Sequence, residues 1–192
     1  MPITHLDESS ALIVVDLQVG IISRFTGPAV SSAIDNSLTL VAAFRRRSLP
    51  VVLVNVVGAP AGRTDRGSGA ALTAPAGWSD FIPQLTPAPG DILISKGARS
   101  AFTNTPLTAE FDALGVTQVV IVGVATSGGV ESTARHAHEY GLNVTLPTDA
   151  MADRSTDAHD HSLAMSFPGI AQTGSTSDVL ALLDARAISD RA

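Results

Sequence analysis

The stretch VVIVGVATSGGVESTARHA, residues 119–137, decides the fold of this chain. Its apolar first part predicts a β-strand over 118–124 that is buried on both faces, as in a parallel sheet. A glycine turn follows, and the pattern then predicts a helix over 129–140. Backbone N–H groups at such a turn face outward and suit an oxyanion or a carboxylate. Gly128 and Gly129 form the tip of the turn, which therefore presents no reactive side chain.

The rest of the chain continues this alternation of strand and helix. Apolar runs that predict buried strands alternate with segments whose apolar residues recur at helical spacing. Strands are predicted at 11–16, 51–57, 91–95, 118–124, 143–147 and 169–173, and helices at 30–48, 107–114, 129–140, 156–166 and 176–187. This order predicts an α/β fold with a mostly parallel sheet and helices on both faces. Residues 58–90 are rich in Gly, Pro, Ala and Thr and are predicted to be irregular, with one turn of helix near Trp78.

Composition limits both the size of the fold and its partners. A length of 192 residues, 45% of them hydrophobic, predicts one domain over 1–192. The net charge of −6 argues against a nucleic-acid or anionic-membrane surface. The chain has no cysteine, which excludes thiolate catalysis and cysteine-ligated metal centres. No signal-peptide pattern and no apolar run of about 20 residues occurs, so a cytoplasmic protein is expected.

An acid and an amine are predicted at the same edge of the sheet as the glycine turn. Asp16 ends the first predicted strand, and Lys96 follows the third. Ligands of parallel sheets bind outside the carboxyl ends of the strands, so these groups are expected to line one cleft. There Asp16 could exchange protons while Lys96 orients it or binds an anionic substrate group. A purely architectural salt bridge explains the same two residues equally well.

Five further residues are candidates for the substrate pocket. Gln18 could contribute an amide contact, although a solvated loop position suits it better. Thr126 and Ser127 could contact the substrate or simply cap the following helix. Trp78 and Phe102 could stack on a flat ligand, and a pocket role is favoured for Phe102 because it closely follows the predicted lysine.

Two other chemistries are weaker interpretations of the same sequence. Ser127 does not stand in the G-x-S-x-G spacing of a serine hydrolase, and no histidine is implicated as its base. The histidine pairs His136/His138 and His159/His161 would point to different faces of a helix. A solvated polar face explains them better than a metal site, so neither a metal nor a cofactor is predicted.

Three segments together resemble the isochorismatase-like hydrolase superfamily of the cysteine hydrolase fold, which includes nicotinamidases and other amide hydrolases. They are ALIVVDLQVGI at 11–21, GDILISKGARSAFTNTPL at 90–107 and VVIVGVATSGGVESTARHAHEYGLNVTLPTDAM at 119–151. The resemblance covers about residues 8–184 in the same order. It implies a Rossmann-like three-layer αβα sandwich with a six-stranded, mostly parallel sheet of order 3-2-1-4-5-6, and a homo-oligomer, either dimer or tetramer.

The resemblance also implies roles for individual residues. Asp16 and Lys96 correspond to the catalytic acid and lysine, and Gly129 takes the position of the family's nucleophilic cysteine. A cis peptide bond is expected at Val124–Ala125, with an oxyanion hole formed by the N–H groups of Ala125 and Gly129. The nicotinamidase metal site is missing, because 55–70 contains no histidine.

The missing cysteine selects among reaction types. A thioester route needs a thiol, whereas the isochorismatases of the superfamily hydrate a vinyl ether by acid catalysis. The leading hypothesis is a cofactor-free hydrolase of a small carboxylated molecule, with Asp16 as acid or base and water entering the space left above Gly129. Isochorismate, which would release pyruvate, is the most concrete substrate. A catalytically inactive member that binds a ligand or assembles with a partner, and an amidohydrolase without a thiol step, stay open as alternatives.

Overall fold

The computed structural model describes residues 3–65, 67–68 and 74–189, and it shows strands alternating with helices. The strands are β1 (Ser10–Val15), β2 (Val51–Val56), β3 (Arg63–Thr64), β4 (Gly67–Ser68), β5 (Ile92–Lys96), β6 (Gln118–Val124), β7 (Asn143–Pro147), β8 (Met151–Ala152) and β9 (Gln172–Gly174). The α-helices are α1 (Val19–Ile22), α2 (Pro28–Arg46), α3 (Leu107–Leu114), α4 (Glu131–Glu139), α5 (Thr156–His161) and α6 (Thr176–Ser189).

The main sheet is parallel and confirms the predicted α/β class. Its strands lie in the order β5-β2-β1-β6-β7-β9, so these six strands follow the expected 3-2-1-4-5-6 arrangement. The sheet differs in detail from the six-stranded prediction because β8 adds a seventh strand, which pairs with β6. A strand of two residues is too short to show an apolar pattern, which explains why the sequence did not predict it. The separate hairpin of β3 and β4 lies within the segment predicted to be irregular.

The central strands are buried on both faces, as the apolar runs predict. In β1, Leu12 and Val14 pack into one hydrophobic cluster, with α2 and α6, while Ile13 and Val15 pack into another, with α3 and α4. Because successive strand residues point to opposite faces, this division places one layer of helices on each side of the sheet. The result is the three-layer arrangement that the resemblance implies.

Several element boundaries differ from the prediction. The helix expected over 129–140 begins with a π-helical turn at Thr126–Val130 and continues as α4. The helix expected over 156–166 is α5 followed by a second π-helical turn, Ser162–Ser166. Lys96 is the last residue of β5 rather than the residue after it. Within the described residues, no helix combines the length and apolarity needed to cross a membrane.

Candidate active site

The first element of the site is Asp16, which comes directly after β1. Its φ of 53° lies in the left-handed region that side-chain-bearing residues rarely adopt. The backbone is held there by the N–H of Asp16, which donates to the carbonyl of Val54 at 2.9 Å. Such backbone conformations are costly and tend to occur at functional sites.

Lys96 and Asp16 form a buried ion pair, with 1% and 7% of each residue exposed. The Lys96 Nζ lies 3.0 Å from Asp16 Oδ2 and donates to the carbonyl of Arg99 at 2.6 Å. The other carboxyl oxygen, Oδ1, is also buried, and no described residue donates a hydrogen bond to it. Among the described residues, only one oxygen of this carboxyl therefore has a partner.

Burial shifts both members of the pair toward their neutral forms. It raises the pKa of Asp16 from 3.8 to about 6, although the Lys96 ammonium lowers it in part. Burial likewise lowers the pKa of Lys96, against the attraction of the Asp16 carboxylate. The desolvation of a charge outweighs its pairing in both cases, so Asp16 can carry a proton at mildly acidic pH.

Gly129 faces this ion pair directly. An ideal Cβ on Gly129 would lie 3.1 Å from both Asp16 Oδ2 and Lys96 Nζ, and 2.8 Å from Val15 Cγ1. The sequence expectation of free space at this position is therefore wrong for the Cβ position itself. Even a methyl group there would have to displace Val15.

The glycine turn brings the carboxyl end of β6 close to β1. The Val124–Ala125 peptide bond is cis, as the resemblance implies. Gly123 has a φ of 110°, and an ideal Cβ on it would lie 2.1 Å from the carbonyl oxygen of Val15, so no side chain fits. The N–H groups of Gly128 and Val130 both donate to the carbonyl of Ala125, at 2.9 and 3.2 Å.

Thr126 and Ser127 connect the turn to the segment around α5. The hydroxyl of Thr126 is buried, 2.8 Å from His159 Nδ1. Ser127 donates from its N–H and its hydroxyl to Asp153 Oδ2, at 2.8 and 2.7 Å. Neither side chain caps α4, so the capping interpretation is wrong.

Gln18 is buried, and the prediction of a solvated loop position is wrong. Its Oε1 accepts from the N–H of Val56 at 2.6 Å, and its Nε2 donates to the carbonyls of Val56 and Trp78 at 3.1 and 3.4 Å. The amide thus extends the pairing at the end of β2 and holds the Trp78 segment. All three of these hydrogen bonds are with backbone groups.

The two aromatic candidates lie in different environments. Trp78 is half-buried and lies so close to Gly20 that an ideal Cβ there would be 2.0 Å from its Cδ1. The Arg24 guanidinium lies 5.8 Å from its ring centroid, within cation–π range. Phe102 is only 4% exposed and packs edge-on against Phe111, with ring centroids 5.8 Å apart. The favoured pocket role of Phe102 is therefore corrected, because its ring belongs to the core.

Sequence reasoning missed three residues near the turn. Asp153 follows β8 and accepts from the turn, His159 contacts its buried threonine, and the exposed Arg99 lies beside Gly128. Arg99 comes three residues after the predicted lysine, a spacing that could have indicated it. Among the residues that the structure describes, no three His, Asp or Glu side chains form a cluster that could hold a metal ion.

Residues 10–178 match the family described as "Isochorismatase domain". The chain belongs to the isochorismatase family. It is 34% identical to the isochorismatase family protein YwoC of Bacillus subtilis over an alignment of 179 residues. The alignment covers 90% of this chain and 93% of that protein. A solved isochorismatase family protein from Burkholderia thailandensis has a TM-score of 0.86 at 34% identity, covering 94% of this chain and 98% of that one.

The isochorismatase family consists of hydrolases, and this chain is an isochorismatase-family hydrolase. One relative with a stated activity is the ureidoacrylate amidohydrolase RutB of Cronobacter sakazakii. It is 32% identical over 162 residues, which cover 69% of this chain and 70% of that protein. The family and fold that the resemblance implies are therefore confirmed, and the roles of the site residues stay predictions.

Proposed function

We propose that the protein hydrolyses a small carboxylated molecule, with Asp16 as general acid and water as nucleophile. One observation supports this most directly. Lys96 holds Oδ2 of Asp16, whereas Oδ1 is buried and receives no hydrogen bond from a described residue. Since burial raises the pKa of Asp16 to about 6, a proton on Oδ1 is available to a substrate at mildly acidic pH.

Lys96 has a positioning role in this proposal. Its Nζ is fixed between the Asp16 carboxyl and the carbonyl of Arg99, so it sets the direction of Oδ1. The N–H groups of Ala125 and Gly129 would donate to a substrate oxygen on which negative charge develops. Because the chain has no cysteine, the covalent thioester route is not open to it.

The vinyl ether of isochorismate is the most concrete substrate for this arrangement. Asp16 would protonate the terminal methylene carbon, and the ether oxygen would stabilise the resulting cation. Water would then add to the adjacent carbon and lose a proton to the Asp16 carboxylate. The hemiketal that forms would collapse to pyruvate and an alcohol, so the enzyme returns to its starting protonation state.

Amide hydrolysis is the second candidate, because RutB is named as an amidohydrolase. In that reaction an ionised Asp16 would take a proton from water, which would attack the amide carbonyl directly. The two reactions need opposite protonation states of Asp16. Gly129→Cys introduces a thiol, although its Cβ must displace Val15, and a gain of amidase activity would show that the remaining groups can support the thiol route.

Purified protein incubated with isochorismate should release pyruvate, measured with a coupled assay. Asp16→Ala should abolish the release, while Arg46→Gln, a change at the exposed end of α2, should not alter it. If turnover by the native protein does not exceed that of Asp16→Ala, isochorismate is not the substrate. A metabolite that raises Tm in a thermal-shift screen and is recovered unchanged would instead support a binding protein without turnover.

We also propose a single domain over 1–192, a cytoplasmic location and a homo-oligomer, either dimer or tetramer. The match over 10–178 supports the single domain, and the family resemblance supports the oligomer. Size-exclusion chromatography with light scattering measures the oligomer directly. A monomer at micromolar concentration would contradict that part of the proposal.

A further inference from the structure

Arg99 lies beside the glycine turn of the site, on the segment that follows β5. An ideal Cβ on Gly128 would lie 4.0 Å from Arg99 Nη1, and one on Gly129 would lie 3.1 Å from Lys96 Nζ. The two cations therefore flank consecutive residues of the glycine turn. Lys96 is buried, whereas Arg99 is exposed and can meet a ligand that approaches from solvent.

The backbone that carries Arg99 is firmly held. Its carbonyl accepts a hydrogen bond from Lys96 Nζ at 2.6 Å. Two residues later, the N–H of Ala101 donates to Thr133 Oγ1 at 3.1 Å, and this hydroxyl donates to the carbonyl of Gly129 at 2.6 Å. The segment is thus tied both to the ion pair and to the turn, so the guanidinium extends from a fixed point beside the site.

The charge of Arg99 is not used within the described part of the protein. Lys96 is paired with Asp16, but no described acid forms an ion pair with Arg99. Asp153, an acid that contacts the turn, already accepts from Ser127 through its Oδ2. Its Oδ1 accepts from two backbone N–H groups of its own loop. The positive charge of Arg99 is therefore available to an anionic ligand.

We propose that Arg99 is the specificity-determining residue of the site and binds a carboxylate of the substrate. A guanidinium presents parallel N–H donors that match the two oxygens of a carboxylate, so it fixes the orientation of the ligand as well as its charge. With the carboxylate on Arg99, the rest of a small ligand can extend across Gly128 and Gly129 toward Asp16 Oδ1. The role of Arg99 in turnover rests on the proposed function, whereas the binding of a carboxylate by Arg99 does not depend on it.

Benzoate and benzamide provide a matched pair of probes, since they share a ring and differ in the charged group. Their affinities for the full chain can be measured by isothermal titration calorimetry or ligand-observed NMR. Benzoate should bind more tightly than benzamide. Arg99→Gln should weaken benzoate binding by about 10- to 100-fold and leave benzamide binding unchanged, because a charge-assisted bidentate contact is lost.

Two further variants separate charge and geometry from general effects. Arg99→Lys keeps the charge without the planar pair of donors and should give an intermediate affinity for benzoate. Arg46→Gln removes one positive charge elsewhere, at the exposed end of α2. This variant should bind both probes like the native protein. Equal benzoate affinity in Arg99→Gln and the native protein, equal losses for both probes, or no preference of the native protein for benzoate would each overturn the proposal.

Kinetics with isochorismate separate this inference from the proposed reaction. Arg99→Gln should raise KM far more than it lowers kcat, whereas Asp16→Asn should lower kcat. If isochorismate is not hydrolysed but Arg99 still determines benzoate binding, the carboxylate-binding role of Arg99 is supported and the proposed reaction is wrong. If isochorismate is hydrolysed with an unchanged KM in Arg99→Gln, the proposed reaction is supported and the carboxylate-binding role of Arg99 is wrong.

Discussion

Strand β5 is bounded by two ion pairs that involve similar groups and differ in how fully those groups are bonded. At its start, Asp91 pairs with Arg45, whose Nε donates to Oδ1 at 3.2 Å and whose Nη2 donates to Oδ2. The N–H of Ala88 also donates to Oδ2, at 2.8 Å. At the end of β5, Lys96 contacts only one oxygen of Asp16 and leaves the other without a described donor.

This difference separates an architectural pair from one suited to chemistry. Both oxygens of Asp91 are satisfied by a bidentate guanidinium, which leaves nothing for a ligand to gain. Asp16 is buried with one oxygen unsatisfied, an arrangement that costs stability unless a proton or a ligand occupies that oxygen. The sequence alone could not decide whether Asp16 and Lys96 form an architectural salt bridge, and this geometry favours the chemical role.

Replacing the acid should therefore lower kcat in one pair and leave it unchanged in the other. The largest effect is expected at Asp16. Asp16→Asn keeps the shape of the side chain but removes its transferable proton. We expect kcat for pyruvate release from isochorismate to fall about 100- to 10,000-fold, the usual contribution of a general acid. The comparison is with Asp91→Asn under the same conditions, which should retain kcat. Similar losses in both variants would mean that the two pairs do not differ in function.

The pH dependence of turnover should follow the raised pKa of Asp16. Acid catalysis needs the protonated carboxyl, so kcat/KM should be constant at lower pH and fall about tenfold per pH unit above about 6. Asp16→Asn should abolish this dependence of any residual activity. A profile that instead rises through about pH 6 would favour the amide reaction, in which the ionised form acts as base.

The same shift affects stability with a defined sign. Because the pKa of Asp16 in the folded protein lies above its value of 3.8, the folded state holds this proton more tightly than the unfolded chain. The stabilisation from the bound proton is complete below about pH 3.8 and is lost as the pH rises through about 6. Comparing urea unfolding of the native protein and Asp16→Asn across this range isolates the contribution of Asp16.

Much of the site could be predicted from the sequence because it depends on topology. Apolar runs locate the strands, and parallel strands bring their carboxyl ends together, so Asp16, Lys96 and the turn at Gly129 were expected at one edge. The structure places these groups in contact. The predicted ends of β1, β5 and β6 lie within one residue of the observed ends, which was sufficient for this prediction.

The errors concern contacts that only the folded chain determines. Phe102 follows Lys96 closely in sequence, but the intervening segment turns back onto α4 through the Ala101–Thr133 hydrogen bond and carries the ring into the core. Gln18 was expected in solvent because glutamine usually is, yet its amide replaces a missing backbone partner at the end of β2. Neither contact produces a periodic signal in the sequence.

The turn itself provides a second comparison, between two adjacent glycines. Gly129→Ala would place a methyl group 2.8 Å from Val15 Cγ1 and 3.1 Å from both charged atoms of the pair. We expect it to destabilise the fold by about 1–3 kcal/mol, the usual cost of overpacking, and to disturb the ion pair. Chemical denaturation measures the first effect, and kcat for isochorismate measures the second.

Gly128→Ala is the matched control for that substitution. The nearest atoms to its ideal Cβ are Ala125 Cβ at 3.6 Å and Arg99 Nη1 at 4.0 Å, both ordinary contacts. The free energy of unfolding should therefore stay within about 0.5 kcal/mol of the native protein. If both alanines destabilise the fold equally, the turn rejects any side chain, and the closeness of the ion pair does not explain the glycine at 129.

Among the substitutions expected to cause a loss, the smallest effect is at Asp91, and it concerns stability alone. Asp91→Asn keeps the size of the side chain but removes the charge that Arg45 binds on two sides. Because Arg45 is partly exposed, we expect the free energy of unfolding to fall by about 1–2 kcal/mol, with kcat unchanged. Urea denaturation at neutral pH measures the loss, and Arg45→Gln should reproduce it, since either change breaks the same pair. A fall in kcat without a loss of stability would assign catalysis to the pair at the start of β5 and overturn the distinction between the two ends of the strand.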